Sequence, residues 1–407
     1  MVAAVTAALL GLAGVAPSAG TTSVNWVITA DTTLTADFHG SIVIGADNVT
    51  LDCAGFRIVA PGELVNGVTV AGQTGVTVKN CTVDGFNGGF DIRAAGNRFI
   101  NNRVLNAVEG FGLGNGADGN TLSGNRVTAN NHGFWLIDAS DNLLVGNTVS
   151  GTHSGFQINA GASGNRLVSN TSRDNLGYGF MLFHSTSTTL VANTASNNGW
   201  VGIILQPSSH NTLVGNTASG NVNTGIFLDN GSDQNTLSGN TTRGNGLNGI
   251  WLNGASDNLL TNNTVADNGT YSEPLANATS GVVIGSSTSG DANDNVLLGN
   301  IANHNQGHGF LMVGWGSVIS GTVLEANTAA NNGWGGFGAW NAQNNQWTSN
   351  TANNNGHLGF ALYKPCTGNT FTNNTARNNG AFDAYDDDAD PSLNTWINNN
   401  FGTAIGP

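Results

Sequence analysis

The sequence predicts an all-β fold: a right-handed parallel β-helix of about fourteen coils of 22–24 residues, with an Asn ladder and capped ends. Three observations carry this. The Asn that opens an Asn-Thr or Asn-Arg pair recurs at 125, 147, 170, 193, 216, 240 and 263, and the column resumes at Asn300, Asn327, Asn350 and Asn374. Self-similarity at a fixed period of this length marks a repeat architecture. Two more columns share the period: Asn before a Leu-type run (Asn97, Asn120, Asn142, Asn165, Asn211) and Gly before an aromatic or aliphatic run (Gly110, Gly133, Gly155, Gly179, Gly202). Finally, each repeat holds three apolar runs of 3–5 residues, as in Gly155–Ile158, Asn165–Val168 and Asn147–Val149. Such runs are too short for helices and suit strands, and the Gly, Asn, Ser and Asp between them suit tight turns. Three strands and three turns per repeat coil, each strand stacking on its counterpart about 4.8 Å away, which gives a rod of roughly 65 Å. A propeller, with four strands per blade of about 40–50 residues, fits neither the period nor the count of runs.

The elements follow in order. Residues 1–19 hold an apolar run, Val2 to Val15, closed by Ala16-Pro17-Ser18-Ala19. It is too short to span a membrane and reads as a secretory signal. No Lys or Arg precedes it, which leaves open a start further upstream. A secreted or extracytoplasmic location is expected. Residues 20–402 read as one β-helix domain, in which 20–45 depart from the repeat and form an N-terminal cap, since an open coil exposes core and unpaired edges. Residues 383–407 close the other end. An Asn turned inward at a bend can bond the equivalent Asn above and below while tolerating a left-handed backbone, so the Asn columns are expected to be structural.

Cys53 and Cys81 lie 28 residues apart, close to one coil, as a bridge or as two small buried hydrophobes. Their registers differ by one residue, which favours the second. Cys366 sits alone in a turn. The net charge is −14 with only 9% charged residues, and eleven basic residues are scattered along the chain. No Lys/Arg patch for nucleic acid is present.

The run Asp47-Asn48-Val49-Thr50-Leu51-Asp52-Cys53-x-Gly55, the run Gly75-Val76-Thr77-Val78-Lys79-Asn80-Cys81 and the repeated Gly-Asn-Thr resemble the NosD-like right-handed β-helix repeat proteins of the pectate-lyase-like superfold. The resemblance covers about residues 25–402 and is specific for fold. The superfold hosts lyases, hydrolases, epimerases, copper-maturation factors and proteins without activity, so function must come from the site. The resemblance implies that the tight Asn-bearing bend lies between the second and third strands. Gly-Phe-x-Leu is then the first strand, whose outer face is where lyases and epimerases of the superfold keep their substrate groove. It also implies, as an alternative, a periplasmic metal-cofactor maturation role. The dispersed three Met and eight His residues depart from what copper handling would want.

With Phe134 and Leu136 inward, Trp135 and Ile137 point out. Over all coils the first outward column runs Asp91, Gly112, Trp135, Gln157, Met181, Ile204, Phe227, Trp251, Val283, Leu311, Gly338, Ala361. The second includes Arg93, Gly114, Asn159, Phe183, Gln206, Asp229, Asn253, Trp340 and Tyr363. A stripe this apolar marks an interaction site. Three accounts compete: aromatic rings stacking on sugars, with Gln157, Asn159, Gln206, Asp229 and Asn253 bonding hydroxyls; a self-association face giving a homo-oligomer; or cover by a loop of the same chain. The sugar account names a polysaccharide or glycan partner, with Trp135, Met181, Phe183, Phe227, Trp251, Trp340 and Tyr363 as further contacts. Two insertions bear on it, one between Asn268 and Gly281 and a smaller one carrying Gly314-Trp315-Gly316.

Catalysis is left open, as a lyase, hydrolase or epimerase type. Paired glycosidase carboxylates lie about 5–9.5 Å apart. Asp138 and Asp229 are four coils apart, about 19 Å, which is too far to cooperate. His184 is a candidate base near Gln206, while Arg93, Asp91 and Asp138 form one loose constellation. Gly307-His308-Gly309 is a product of the repeat, as Gly177-Tyr178-Gly179 shows. Asp383, Asp386, Asp387, Asp388 and Asp390 form a dense acidic cluster, either a Ca²⁺ site or a solvated end that blocks rod-on-rod stacking.

Overall fold

The computed structural model describes residues 25–406 except 63–64, 129–130, 271–278, 287–289 and 388–392. Segment 1–19 lies outside the described residues. The described chain is a right-handed solenoid of parallel strands in three sheets, one of eighteen strands and two of sixteen, with no helix. Each sheet-two strand pairs with the sheet-two strand one coil later, as in Leu144↔Leu167↔Leu190. Sixteen turns stacked at about 4.8 Å make a rod of roughly 70 Å. The segment expected as an N-terminal cap supplies strands of its own: Asn25–Ile28, Thr32–Thr33 and Phe38–His39 pair into the three sheets in turn.

The core is built from like residues on like. Phe90, Phe111, Phe134, Phe156 and Phe180 stack nearly parallel, with centroids 4.4–4.8 Å apart. The column continues through Ile203, Ile226, Ile250 and Val282 to Phe310, Phe337 and Phe360. At the corner entering this sheet only Gly fits. A Cβ on Gly110 would lie 2.3 Å from the Gly133 carbonyl oxygen and 2.7 Å from Val127.

The expected ladder is present, and it has two companions. Asn147, Asn170, Asn193 and Asn216 are fully buried in one column, each side-chain oxygen accepting from the backbone and side-chain N–H of the Asn one coil before it. A second ladder runs through Asn97, Asn120, Asn142 and Asn165. A third, unread in the sequence, runs Asn175, Asn198, Asn221, Asn245, Asn268, Asn305, Asn332, Asn355 and Asn379 at the bend entering the first sheet. All three corners are therefore braced. The left-handed residue is also not the ladder Asn itself but the one before it: Gly146, Ser169, Ala192 and Gly215 have φ of 62°, 52°, 52° and 61°.

Cys53 and Cys81 form a disulfide, which corrects the expectation of two buried hydrophobes. The one-residue offset does not keep them apart, because Cys53 follows the strand Thr50–Asp52 and Cys81 precedes the strand Thr82–Asp84 across the bend. There the chain turns enough to bring the Cα atoms to 4.7 Å.

Candidate functional site

The outward columns stand in register as the alternation requires: Asp91↔Gly112, Trp135↔Gln157, Phe227↔Trp251 and Leu311↔Gly338 in the first, and Asp229↔Asn253 and Trp340↔Tyr363 in the second. The face is divided into three parts. Its middle is covered by the chain's own residues. Val283, Leu311 and Val313 are buried against Trp251, and Trp315 from the small insertion packs on Trp251 and sits over Gly285. Phe227 stacks on Trp251 with centroids at 4.7 Å. Most of the larger insertion, 271–278, lies outside the described residues. Trp251 is therefore a packing residue as much as a surface platform.

On either side of this cover the face opens, both times where the first outward column falls to Gly or Ala. The N-terminal cleft, about 280 Å³, is lined by Asn66, Asp91, Arg93, Glu109, Gly112, Gly114, Trp135 and Ile137, among others. Arg93 donates to both oxygens of Asp91, from Nε at 2.9 Å and Nη2 at 2.7 Å. Asn66 Nδ2 donates to the same carboxylate at 2.9 Å. Glu109 lies across Gly112, where a Cβ would meet Glu109 Oε2 at 3.2 Å. Burial first, and then the negative charge of Asp91, push the Glu109 carboxyl above the ordinary carboxylate range. His132 is in register with Glu109, and its ring lies along Trp135 at 6.0 Å. Burial first, and then His153, hold the His132 imidazole below its usual value.

The C-terminal pocket is larger, about 700 Å³, and mostly apolar. Trp334, Trp340 and Tyr363 wall it, with Leu311 and Val313 on one side and Lys364, Asp387, Gln306 and His308 as its polar groups. Trp334 and Trp340 remain 46% and 49% exposed, so ring surface is available to a ligand. His357 stacks on Trp334 at 4.4 Å and holds it upright. His308 is buried, lacks a hydrogen-bond partner at Nδ1, and is pushed down to about 4 by burial first and His357 second. Its ring fits because Gly335 and Gly338 carry no side chain; a Cβ on either would come within 3 Å of it.

The residues singled out from the sequence distribute unevenly. Arg93 and Trp135 meet in the N-terminal cleft, and Trp340 and Tyr363 in the C-terminal pocket. Asp138 lies on an exposed left-handed bend outside the cleft lining. Asp229 is held by amides, accepting from Gln206 Nε2 at 3.0 Å, Asn253 Nδ2 at 2.9 Å and Asn230 Nδ2 at 3.2 Å. That network occupies the Gln206 and Asn253 groups expected to bond sugar hydroxyls. His184 is exposed at a bend with φ of 50°, edge-on to Phe183. Gln157, Met181 and Phe183 lie half-buried on the strands between Trp135 and Phe227, and Asn159 follows its strand at the bend.

In the acidic cluster, Asp383 and Asp386 are 4% and 5% exposed and end two of the ladders. Asp383 Oδ1 accepts from Asn379 N and Nδ2, its Oδ2 accepts from Thr403 N, and Asp386 Oδ2 accepts from Asn394 Nδ2. Asp387 accepts from the Tyr385 hydroxyl; Asp388 and Asp390 lie outside the described residues. No group of three or more His, Cys, Asp or Glu positioned for a metal occurs among the described residues.

Glu109, His132, Trp334 and His308 were not read as site residues. All sit one or two residues before the invariant-looking Gly of each repeat, as in Glu109-Gly110 and Trp334-Gly335-Gly336. Glu109 and His132 begin their strands, while Trp334 and His308 lie just before theirs, and strict alternation from Phe does not reveal any of the four as lining the outer face.

Residues 163–282 match the family model described as periplasmic copper-binding protein (NosD). Among solved structures, the A-module of mannuronan C-5 epimerase AlgE6 from Azotobacter vinelandii is 16% identical, with 84% of this chain and 91% of that chain covered and a TM-score of 0.50. The A-module of AlgE4 from the same organism is 15% identical, covering 82% and 91% at a TM-score of 0.47. The periplasmic alginate epimerase AlgG is 12% identical, covering 81% and 76% at 0.48. At these identities the likeness is one of fold. No curated protein matches the sequence. The model described as right handed beta helix region matches residues 66–218 and 275–405, more than half of the chain, and the protein belongs to that family.

Proposed function

We propose that this protein is an extracytoplasmic β-helix that binds polysaccharide along the outward face of its first sheet, with the C-terminal pocket as the main ring-binding site. The pocket carries the reading. A concavity of about 700 Å³, with exposed Trp334 and Trp340 beside Tyr363 and a few polar groups at its rim, has the form of a site that stacks on the flat faces of sugars and orients their hydroxyls. The Cys53–Cys81 disulfide supports an oxidising compartment, as does the apolar segment before residue 20. AlgE6, whose A-module shares the fold, is a mannuronan C-5 epimerase, which agrees with this reading.

A second reading has its own observation. Leu176, Trp200 and Val222 are 77%, 49% and 52% exposed on successive coils at the bend entering the first sheet, an apolar patch suited to self-association. Affinity electrophoresis through gels containing neutral or acidic polysaccharides, with light scattering on the same samples, separates the two. Trp340→Ala and Trp334→Ala should each weaken retention about tenfold or more, as expected for loss of an aromatic anchor, while Trp200→Ala leaves retention unchanged. Unaltered retention in both pocket variants, or a dimer that Trp200→Ala dissociates with no glycan retained, would favour the structural reading instead.

A further inference from the structure

We propose that the N-terminal cleft is a glycoside-cleaving centre for a neutral polysaccharide, with Glu109 as general acid and Asp91 as the partner carboxylate, acting on a sugar ring held against Trp135. It rests on the carbohydrate reading above and adds an activity to it.

The cleft is a slot one strand wide. Over the strand Glu109–Leu113 the outward positions are Gly112 and, just beyond the strand, Gly114. Neither adopts a left-handed backbone, so it is the missing side chains that matter. The flanking strands, Gly88–Ile92 and His132–Leu136, stand two spacings apart, roughly 10 Å. Asp91 and Arg93 form one wall, Trp135 and Ile137 the other, and Glu109 lies over the bare floor. His132, packed along Trp135, is a positioning residue for that wall.

Two carboxyl groups thus share one slot in opposite environments. Glu109 is half-buried and faces the negative Asp91, and both effects favour its neutral, proton-donating form. Asp91 accepts three hydrogen bonds, from Arg93 Nε, Arg93 Nη2 and Asn66 Nδ2. A carboxylate offers about four acceptor positions, so about one is left for the substrate. Glu109, which burial favours in its protonated form, is assigned as the acid, and Asp91, fixed in place by Arg93 and Asn66, as its partner. Glu109 reaches over Gly112, and Gly112 is in register with Asp91 on the next strand. The strands that carry the two residues stand about 4.8 Å apart, near the short carboxylate separation of retaining glycosidases.

The chemistry closes with water alone. The Asp91 carboxylate attacks the anomeric carbon as the glycosidic C–O bond breaks. The leaving oxygen keeps the electron pair and takes the Glu109 proton. Glu109, now a carboxylate, removes a proton from water, whose oxygen displaces Asp91 from the anomeric carbon. Both groups return to their starting states, and one water is consumed per bond. A neutral polymer is specified because, among the described residues, Arg93 is the single cation lining the slot and Asp91 already neutralises it. A uronate carboxylate would find no unpaired positive charge there.

The test uses the full chain with soluble glucans, xylan, galactan and mannan, and with alginate and polygalacturonate as acidic probes. Retention in gels and release of reducing ends are measured in parallel. A retained neutral polymer should release reducing ends with the anomeric configuration kept, as read by proton NMR at early times. Glu109→Gln and Asp91→Asn should each lower the rate at least a hundredfold, with retention and the thermal melt unchanged. The alkaline limb of the pH–rate profile should lie above the ordinary carboxylate range, since Glu109 must be protonated. Retention of a neutral polymer without reducing ends overturns the catalytic assignment and leaves the binding reading standing; retention of none overturns both. Turnover confined to the acidic polymers, full activity in either variant, or inverted product each overturns the assigned roles.

Discussion

Replacing Asn193 with Ala isolates what one rung of a ladder contributes. Asn193 is fully buried, and its side-chain oxygen accepts from Asn170 N at 2.9 Å and Asn170 Nδ2 at 3.0 Å. Its Nδ2 donates to the Leu167 carbonyl at 2.9 Å and to Asn216 Oδ1 at 3.0 Å. Truncation leaves the Asn170 backbone N–H without its acceptor, while Asn170 Nδ2 keeps the Leu144 carbonyl and Asn216 Oδ1 keeps the Asn193 N–H. The Leu167 carbonyl loses a donor. The orphaned Asn170 N–H at about 1–3 kcal/mol, with the loss of a second donor to the Leu167 carbonyl in its paired strand, gives an expected loss of about 2–4 kcal/mol. Thr194→Ala changes a half-buried position on the outer face of the next strand and should cost under about 1 kcal/mol. Urea unfolding of both variants measures the difference. Because a solenoid can open coil by coil, hydrogen exchange of the peptide spanning residues 165–175 should accompany it, with protection lost at Asn170 in the Asn193→Ala variant alone. Equal stability and equal protection in the two variants would refute the ladder as a source of stability.

Three further outcomes are expected. Removing the Cys53–Cys81 bridge by a double Ala substitution frees a loop of sequence separation 28 and should destabilise the N-terminal coils by about 3–4 kcal/mol, measured by urea unfolding with and without reductant. Asp383→Ala should lower the melting temperature more than Asp387→Ala, because Asp383 terminates the third ladder with bonds from Asn379 and Thr403 whereas Asp387 accepts from the Tyr385 hydroxyl nearer the surface. His308 should make stability depend on acid. Its folded value of about 4 lies below the ordinary imidazole value of 6.5, so below pH 6.5 the unfolded chain binds the extra proton, and stability falls as pH drops from about 6.5 to about 4. Glu109, raised in the fold, acts with the opposite sign. The difference between wild type and His308→Gln across that window isolates the histidine, and parallel pH curves would show that it contributes nothing.

The repeat made the architecture legible because it is a one-dimensional pattern. An Asn at 147, 170, 193 and 216 can stack only if each coil is one period long, and Phe134 beside Leu136 then sets which residues face out. The outward columns, including Trp135, Trp340 and Tyr363, were readable for the same reason. The third ladder was less visible, since Asn175, Asn198 and Asn221 sit among other Asn and Gly residues whose letters do not distinguish an inward side chain from a solvated turn.

What tertiary structure alone decided is everything that depends on distance between coils and on space above the sheet. The bend brought Cys53 to Cys81 despite their offset registers. Amides from neighbouring coils enclosed Asp229, and ladder Asn residues claimed Asp383. Trp315 folded back over the middle of the outward face, while the absence of a side chain at Gly112 opened the N-terminal cleft and that at Gly338 made room for the His308 ring that lines the C-terminal pocket. A periodic sequence specifies which way each residue points. Whether the volume it points into is filled depends on the insertions that break the period and on side chains one or two coils away, and those are set only once the coils are stacked.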